Sequence, residues 1–316
     1  MAVNIPDLYR DVLMKLRGGE VEETRNGAAK VMQQPSLFSV RQPTQRVLFD
    51  PERKANPYFH VMETVWMLAG RDDVDWLKQF NSGIAQYADF GVINGAYGHR
   101  WRKSWHFDQV LRIIEELRLN PSSRQLNLQM WNPYWDNPQQ KFNDRPCNTN
   151  IYFQRRKDGR LDMTVCNRSN DAIWGMAGAN AVHMTYLHEL VASATGLDLG
   201  TYWVMSNNLH IYEQHWPLLD SIAVYDEYLE GHINPYPILN TERSETYEGL
   251  VAECERFILE NDFMPTNNWL KHVAFPMREA YLIRKDGGSE GRWIEQIRAS
   301  DWRKACIYWA QWHNKG

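Results

Sequence analysis

The segment "CNTNIYFQRRKDGRLDMTVCNRSND", residues 147 to 171, decides the fold. "NIYFQRR" (150–156) alternates apolar and polar residues as a half-buried strand does, and "LDMTVCNRS" (161–169) repeats the pattern. Lys157, Asp158, Gly159 and Arg160 supply the turn between them. The segment reads as two joined strands, with Cys147 at the entrance and the polar run Arg168-Ser169-Asn170-Asp171 at the exit.

A cysteine is nucleophilic as its thiolate, and nearby cations favour that form. Arg145, Arg155 and Arg156 flank Cys147, and the second strand delivers Arg168. Local sequence alone still favours a small packed residue at the mouth of a sheet. The exit run adds chemistry: a guanidinium beside a hydroxyl makes a phosphate grip, although the same residues could cap a following helix. "SNNLHIY" (206–212) puts His210 and Tyr212 on one face of a strand, as donors to a sugar hydroxyl or as a half-buried pair.

Working outward, "MAVNIPDLYRDVLMKL" opens an amphipathic helix after Pro6, and "VLFD" (47–50) has strand character. "YFHVMETVWMLAG" (58–70) is helical, and Glu63 falls where it can point into a largely apolar wall. "SWHFDQVLRIIEELRLN" (104–120) is a helix stopped by Asn120-Pro121, and "RQLNLQMWNP" (124–133) alternates as a strand. "NAVHMTYLHELVASATG" (180–196) is helical and ends on a glycine, and "DLGTYWVMSNNLHIY" (198–212) contains two strand segments. From about 240 the pattern turns charged and helical. The fold class is α+β: a body over 1–240 and a helical extension over 241–316. Trp293, Trp302, Trp309 and Trp312 fall close to one helical face, read as packing against the body rather than a platform for a partner.

The 316 residues, 43% hydrophobic and 23% charged, fit a soluble globular protein. A formal charge of −4 argues against direct DNA binding or attraction to an anionic membrane, and no signal peptide or membrane span is visible. The four cysteines include no Cys-x-x-Cys pair, so neither a disulfide framework nor a metal site is expected, and a reducing cytoplasm is the default location.

Taken together, "RPC" ending in Cys147, "RSND", "AIWGMAGANAVHM" and "NNLHIY" resemble the core of the thymidylate synthases and their nucleotide hydroxymethylase relatives. "HVMETVWMLAG", "NGAYGHRWR", "ETRNG" and "NPSSRQ" match further family segments in the family's chain order, over roughly residues 5 to 240. The resemblance implies a mixed β-sheet layered with helices, and folate-dependent one-carbon transfer to C5 of a pyrimidine nucleoside monophosphate. Cys147 would add to C6, with 5,10-methylenetetrahydrofolate as the carbon donor. Glu63 and Tyr97 would manage water and proton transfer, and Asp171 would contact the folate ring. Arg25, Arg168, Ser169 and Asn170 would hold the nucleotide, Arg168 also keeping the thiol partly ionised. His210 and Tyr212 would take the sugar, and Arg124 would reach the phosphate from the partner of a homodimer.

Several positions depart from the family pattern. Gln125 stands in place of a second phosphate arginine, and Asn208 in place of an aspartate. The stretches "SGIAQYADFG" and "FNDRPC" lack a shielding tryptophan and place polar Asp144 near the cysteine, which favours water as the final nucleophile and a hydroxymethyl product. The candidate base reader Asn180 lies one position later than an ungapped match from Asp171, where Ala179 falls. Asn180 could instead cap the next helix, and His183 is another possible base contact. An amide presents both donor and acceptor, which inclines the reading to uracil with cytosine open. Reductive methylation of dUMP, CMP hydroxymethylation and a nucleotide- or RNA-binding module are the alternatives. A hydroxymethylated nucleotide suits a virus modifying its DNA, which would place the protein in a host cytoplasm.

Overall fold

The computed structural model describes all residues except 138, 140, 223–225 and 314–316. Helix α1 (Ile5–Leu16) precedes a hairpin of β1 (Glu20–Thr24) and β2 (Gly27–Val31), then β3 (Ser36–Val40) and helix α2 (Pro57–Leu68). Helices α3 (Tyr97–Arg102) and α4 (Gln109–Leu119) lead to β4 (Asn127–Gln129), β5 (Asn148–Arg155), β6 (Arg160–Asn167) and β7 (Asn170–Asp171). A π-helical turn (Ala172–Met176) then opens into α5 (Ala179–Thr195), followed by β8 (Asp198–Ser206) and β9 (Leu209–Tyr212). The remaining α-helices are α6 (Pro217–Asp220), α7 (Tyr247–Leu259), α8 (Phe275–Lys285), α9 (Gly291–Ile294) and α10 (Ser300–His313).

The helices start where the local chemistry satisfies their first amides. Asn4 accepts from Asp7 N at 3.0 Å, and Asn56 from Phe59 N at 3.1 Å with Pro57 preset for the first turn. α5 stops at Gly196, whose φ of 70° suits a residue without Cβ.

Five strands form one sheet in the order β3-β8-β6-β5-β4, with β6 and β8 parallel. A parallel pair needs a crossover, and α5 provides it. Ile151, Val165 and Val204 lie in register on the buried face, in the core shared with α2 and α5. The opposite face stays open: Leu37 pairs with Met205 and Tyr152 with Thr164, and Leu37, Met205 and Tyr152 are exposed. A second sheet, β1-β2-β9-β7, carries much of the polar chemistry.

Three expectations change. Val47–Asp50 is not a strand: Val47 N donates to the Tyr228 hydroxyl at 3.2 Å, and Asp50 Oδ1 accepts from Glu52 N and Arg53 N, so side-chain bonds replace a neighbouring strand. The helix expected from 104 starts at Gln109 because Asp108 caps it, accepting from Leu111 N at 3.0 Å. The C-terminal tryptophans share no single helix, because α9 ends at Ile294. Trp293 packs edge-on to Phe275, whereas Trp302 is buried and Trp309 meets Tyr58 edge-on. The β1–β2 hairpin and β3 had no clear signature in the sequence.

Helices α7, α8 and α10 lie against α2. Tyr281 meets Tyr58 at a tilt and Trp302 meets His60 edge-on, both on α2, and Phe257 meets Trp76 just beyond it. A buried polar web ties them further: Trp269 and Trp302 both donate to the Tyr186 hydroxyl, and Tyr228 donates to Asp301 Oδ2 at 2.9 Å. Arg46 lies 3.7 Å from the Tyr186 ring centroid and pairs with Glu189.

Candidate active site

Cys147 stands just before β5, on a loop held from both sides. Gly95 N donates to Asp144 Oδ2 at 3.0 Å. Arg168, just beyond β6, donates from Nε to Pro146 O at 3.1 Å and from Nη2 to Arg145 O at 3.2 Å, with Trp131 5.7 Å from the guanidinium. The cation therefore sits beside the thiol and lowers its pKa, but burial raises it more, and Asp144 and Asp171 push the same way. Arg168 thus acts on the thiol in the expected direction, against a larger opposing effect of burial.

Tyr97 opens α3, which sits close on α2 because Gly98 has no Cβ to strike the Met67 carbonyl. The Tyr97 hydroxyl meets the Cys147 thiol and the backbone of Cys147 and Asn148, and burial holds it well above a free phenol. On α2, Glu63 is pushed up to about 8 by burial and by Asp144. His183 Nε2 lies 3.4 Å from Glu63 Oε2, yet burial takes His183 down to about 3. Between those values both groups are uncharged, so the contact is no salt bridge.

The small sheet gathers the other candidates. β7 pairs with β9 so that Asp171 stands opposite His210. His210 Nδ1 is 2.9 Å from Asn208 Oδ1, and its ring meets Tyr212 edge-on at 5.0 Å. Arg25 lies exposed in the β1–β2 turn, whose Asn26 donates to the Tyr212 hydroxyl at 3.2 Å. Asp171 Oδ1 accepts from Ile173 N and Trp174 N, both at 2.7 Å, while its buried Oδ2 has no partner. Asn170 Oδ1 is likewise buried without a partner, against Gly175, and half-buried Ser169 lies between Asn170 and Arg168.

Asn180 lies in the first turn of α5, but Gly178 occupies the cap position, so the capping alternative falls away. Its amide comes close to Gly175, beside Asn170. The π-helical turn between Asp171 and Asn180 takes more residues per turn than an α-helix, and so can absorb the extra residue of this stretch. Arg124 stays apart. The register sets Leu126 beside Phe153, which puts Arg124 roughly 20 Å or more along the sheet from Cys147 at about 3.3 Å per residue.

Two site residues had little or no signal in the sequence. Tyr87, at the end of a 3-10 helix (Ser82–Tyr87), interacts with Asp171, Asp144, Tyr212 and Cys147. Arg53 donates to Ile173 O at 3.0 Å and lies 4.8 Å from the Trp174 ring. Nothing marked either, because both enter from segments far away in the chain. Among the described residues, no group of three His, Cys, Asp or Glu could hold a metal ion.

A family model described as thymidylate synthase matches residues 7–263. A protein of Pseudomonas phage M6 named deoxyuridylate hydroxymethyltransferase is 38% identical over 312 residues, covering 93% of this chain and 88% of that protein. A protein of the same name from Bacillus phage SP01 is 35% identical over 65% of this chain and 56% of its own length. A thymidylate synthase of Symbiobacterium thermophilum is 31% identical over 63% of this chain and 70% of its own.

Proposed function

This chain belongs to the thymidylate synthase family, and from that premise we propose that it hydroxymethylates C5 of deoxyuridylate. The observation that carries the choice of product is Asp144. This carboxylate is fixed by Gly95 N beside Cys147, Tyr97 and Glu63, where an apolar wall would exclude water and a carboxylate retains it. The phage relatives named deoxyuridylate hydroxymethyltransferase support the same choice, and also uracil over cytosine.

In this reading the Cys147 sulfur forms a bond to C6, and the ring electrons moved to C5 make that carbon the nucleophile. Arg168 stabilises the thiolate as substrate arrives, with Arg25, Ser169 and Asn170 holding the nucleotide, and His210 and Tyr212 holding the sugar. Tyr97, against the thiol, is placed to exchange the C5 proton, and Glu63 to order water at the base. Asn180 reads the pyrimidine edge. Water adds to the exocyclic methylene of the nucleotide, and departure of the Cys147 sulfur from C6 restores the aromatic ring.

Methylenetetrahydrofolate would supply the carbon. Its flat, nitrogen-bearing ring fits the unpartnered Oδ2 of Asp171, an acceptor for ring N–H groups, and the nearby rings of Tyr87 and half-exposed Trp174. The open face of the five-stranded sheet supports a homodimer, which would also bring Arg124 to the other subunit's site. Residues 241–316 serve as a helical extension of the 1–240 body that braces α2 behind Glu63. Among the described residues no helix is long and apolar enough to cross a membrane, and we read the location as cytoplasmic.

The test offers dUMP, dCMP and CMP, each with methylenetetrahydrofolate in isotopically heavy water. The expected product is hydroxymethylated dUMP carrying oxygen from water. Methylated product alone, with release of dihydrofolate, would make the chain a thymidylate synthase. Failure of 5-fluoro-dUMP and folate to form an adduct on Cys147 would favour a binding module.

A further inference from the structure

His183 is a buried base that the reaction above does not use. It projects from α5, is 2% exposed, and neither ring nitrogen has a hydrogen-bond partner. Stranding a polar ring in an interior is unfavourable, so such a group is retained where it gains a partner during function. Among the described residues, the side chain poised to become that partner is Glu63 of α2, with Oε2 3.4 Å from Nε2.

The surroundings show which protonation states meet. Glu63 is faced by Asp144 from the loop before β5, which disfavours its anion, and by His183 from α5. His183 is faced by His60 of α2, which burial, His183 itself and Arg53 keep neutral. The His183 ring also lies beside the His60 carbonyl oxygen, which can take one ring proton. In the neutral ring one nitrogen carries the proton; with it on Nδ1, Nε2 offers its lone pair 3.4 Å from Glu63 Oε2.

We propose that His183 is a positioning residue for Glu63, its unprotonated nitrogen accepting the carboxyl O–H and so fixing which carboxyl oxygen stays free for the reaction. The proposal rests on the reading of Glu63 as a member of the reaction machinery. A hydrogen bond to the neutral acid stabilises that form, so it also sets the pH at which Glu63 ionises. His183 then reads Glu63 and not the base, which leaves the pyrimidine edge to Asn180.

The experiment follows the infrared band of the protonated Glu63 carboxyl, assigned by its disappearance in E63Q, as pH is raised. H183Q places an amide oxygen near the Nε2 position, whereas the shorter H183N does not reach it. The midpoint is expected to fall by about one pH unit in H183N and to stay near wild type in H183Q. The pH limb of kcat should move in parallel, with KM for the nucleotide changed less than about twofold. Equal midpoints in H183N, H183Q and wild type would overturn the proposal. The infrared readout does not depend on turnover, so a protein that titrates as expected but makes no product would refute the enzymatic reading alone.

Discussion

Arg168 donates from Nε to the carbonyl oxygen of Pro146 at 3.1 Å, and its own backbone N–H donates to the carbonyl oxygen of Cys147 at 3.0 Å. One residue thereby fixes the loop that carries the nucleophile and sets a positive charge beside it. Position and reactivity of the thiol are coupled through a single guanidinium.

Removing that charge should make the thiol harder to ionise. In Arg168→Ala the pH midpoint for iodoacetamide modification of Cys147, followed by mass mapping of its peptide, is expected to rise. At fixed pH the rate should fall by about tenfold, one unit of pKa. Arg168→Lys, which keeps charge but loses the fork, should fall between. A midpoint unchanged in Arg168→Ala would show that burial alone governs the thiol.

Gly98 is where α3 touches α2. A Cβ there would strike the Met67 carbonyl, which is backbone and cannot swing aside. Gly98→Ala should lower unfolding stability by about 1–3 kcal/mol in urea titrations, the usual cost of overpacking. Because Tyr97 is the adjacent residue, kcat should fall as well. Wild-type stability in this variant would mean that the two helices separate freely.

Asp301 is buried at the junction of α10 with the body, and burial raises its pKa to about 7 although Tyr228 and Trp302 donate to it. The unfolded carboxyl titrates near about 3.9, so between those values the folded state holds the extra proton. Its contribution to stability is therefore complete below the lower value and is lost as pH rises through about 7. Asp301→Asn should flatten this slope. The wild type should lose on the order of 2–4 kcal/mol more than the variant between pH 4 and pH 8. Parallel curves for the two proteins would exclude Asp301 as the source.

Arg124 should act in the other subunit. Arg124→Ala and Cys147→Ser proteins, each nearly inactive, should recover about a quarter of wild-type activity after subunits are mixed and exchanged in equal amounts. Half of the dimers are then mixed, and each mixed dimer has one complete site. No recovery despite demonstrated exchange would place Arg124 outside the site.

The local sequence determined the strand pair around Lys157–Arg160, the helices over α2, α4 and α5, and the chemical types at Cys147, Arg168, Asp171 and His210. Each is legible because alternation, helical spacing and turn residues are short-range properties. The pairing of Asp171 with His210, the approach of Tyr87 and Arg53, and the contact of His183 with Glu63 join segments far apart in the chain, and no local pattern encodes them. Val47–Asp50 had the composition of a strand, but Tyr228 supplied a different partner for its backbone. The balance at Cys147 was also tertiary: Arg168 beside the thiol lowers its pKa, and burial raises it more. Desolvation depends on everything packed around a group, which only the folded chain specifies.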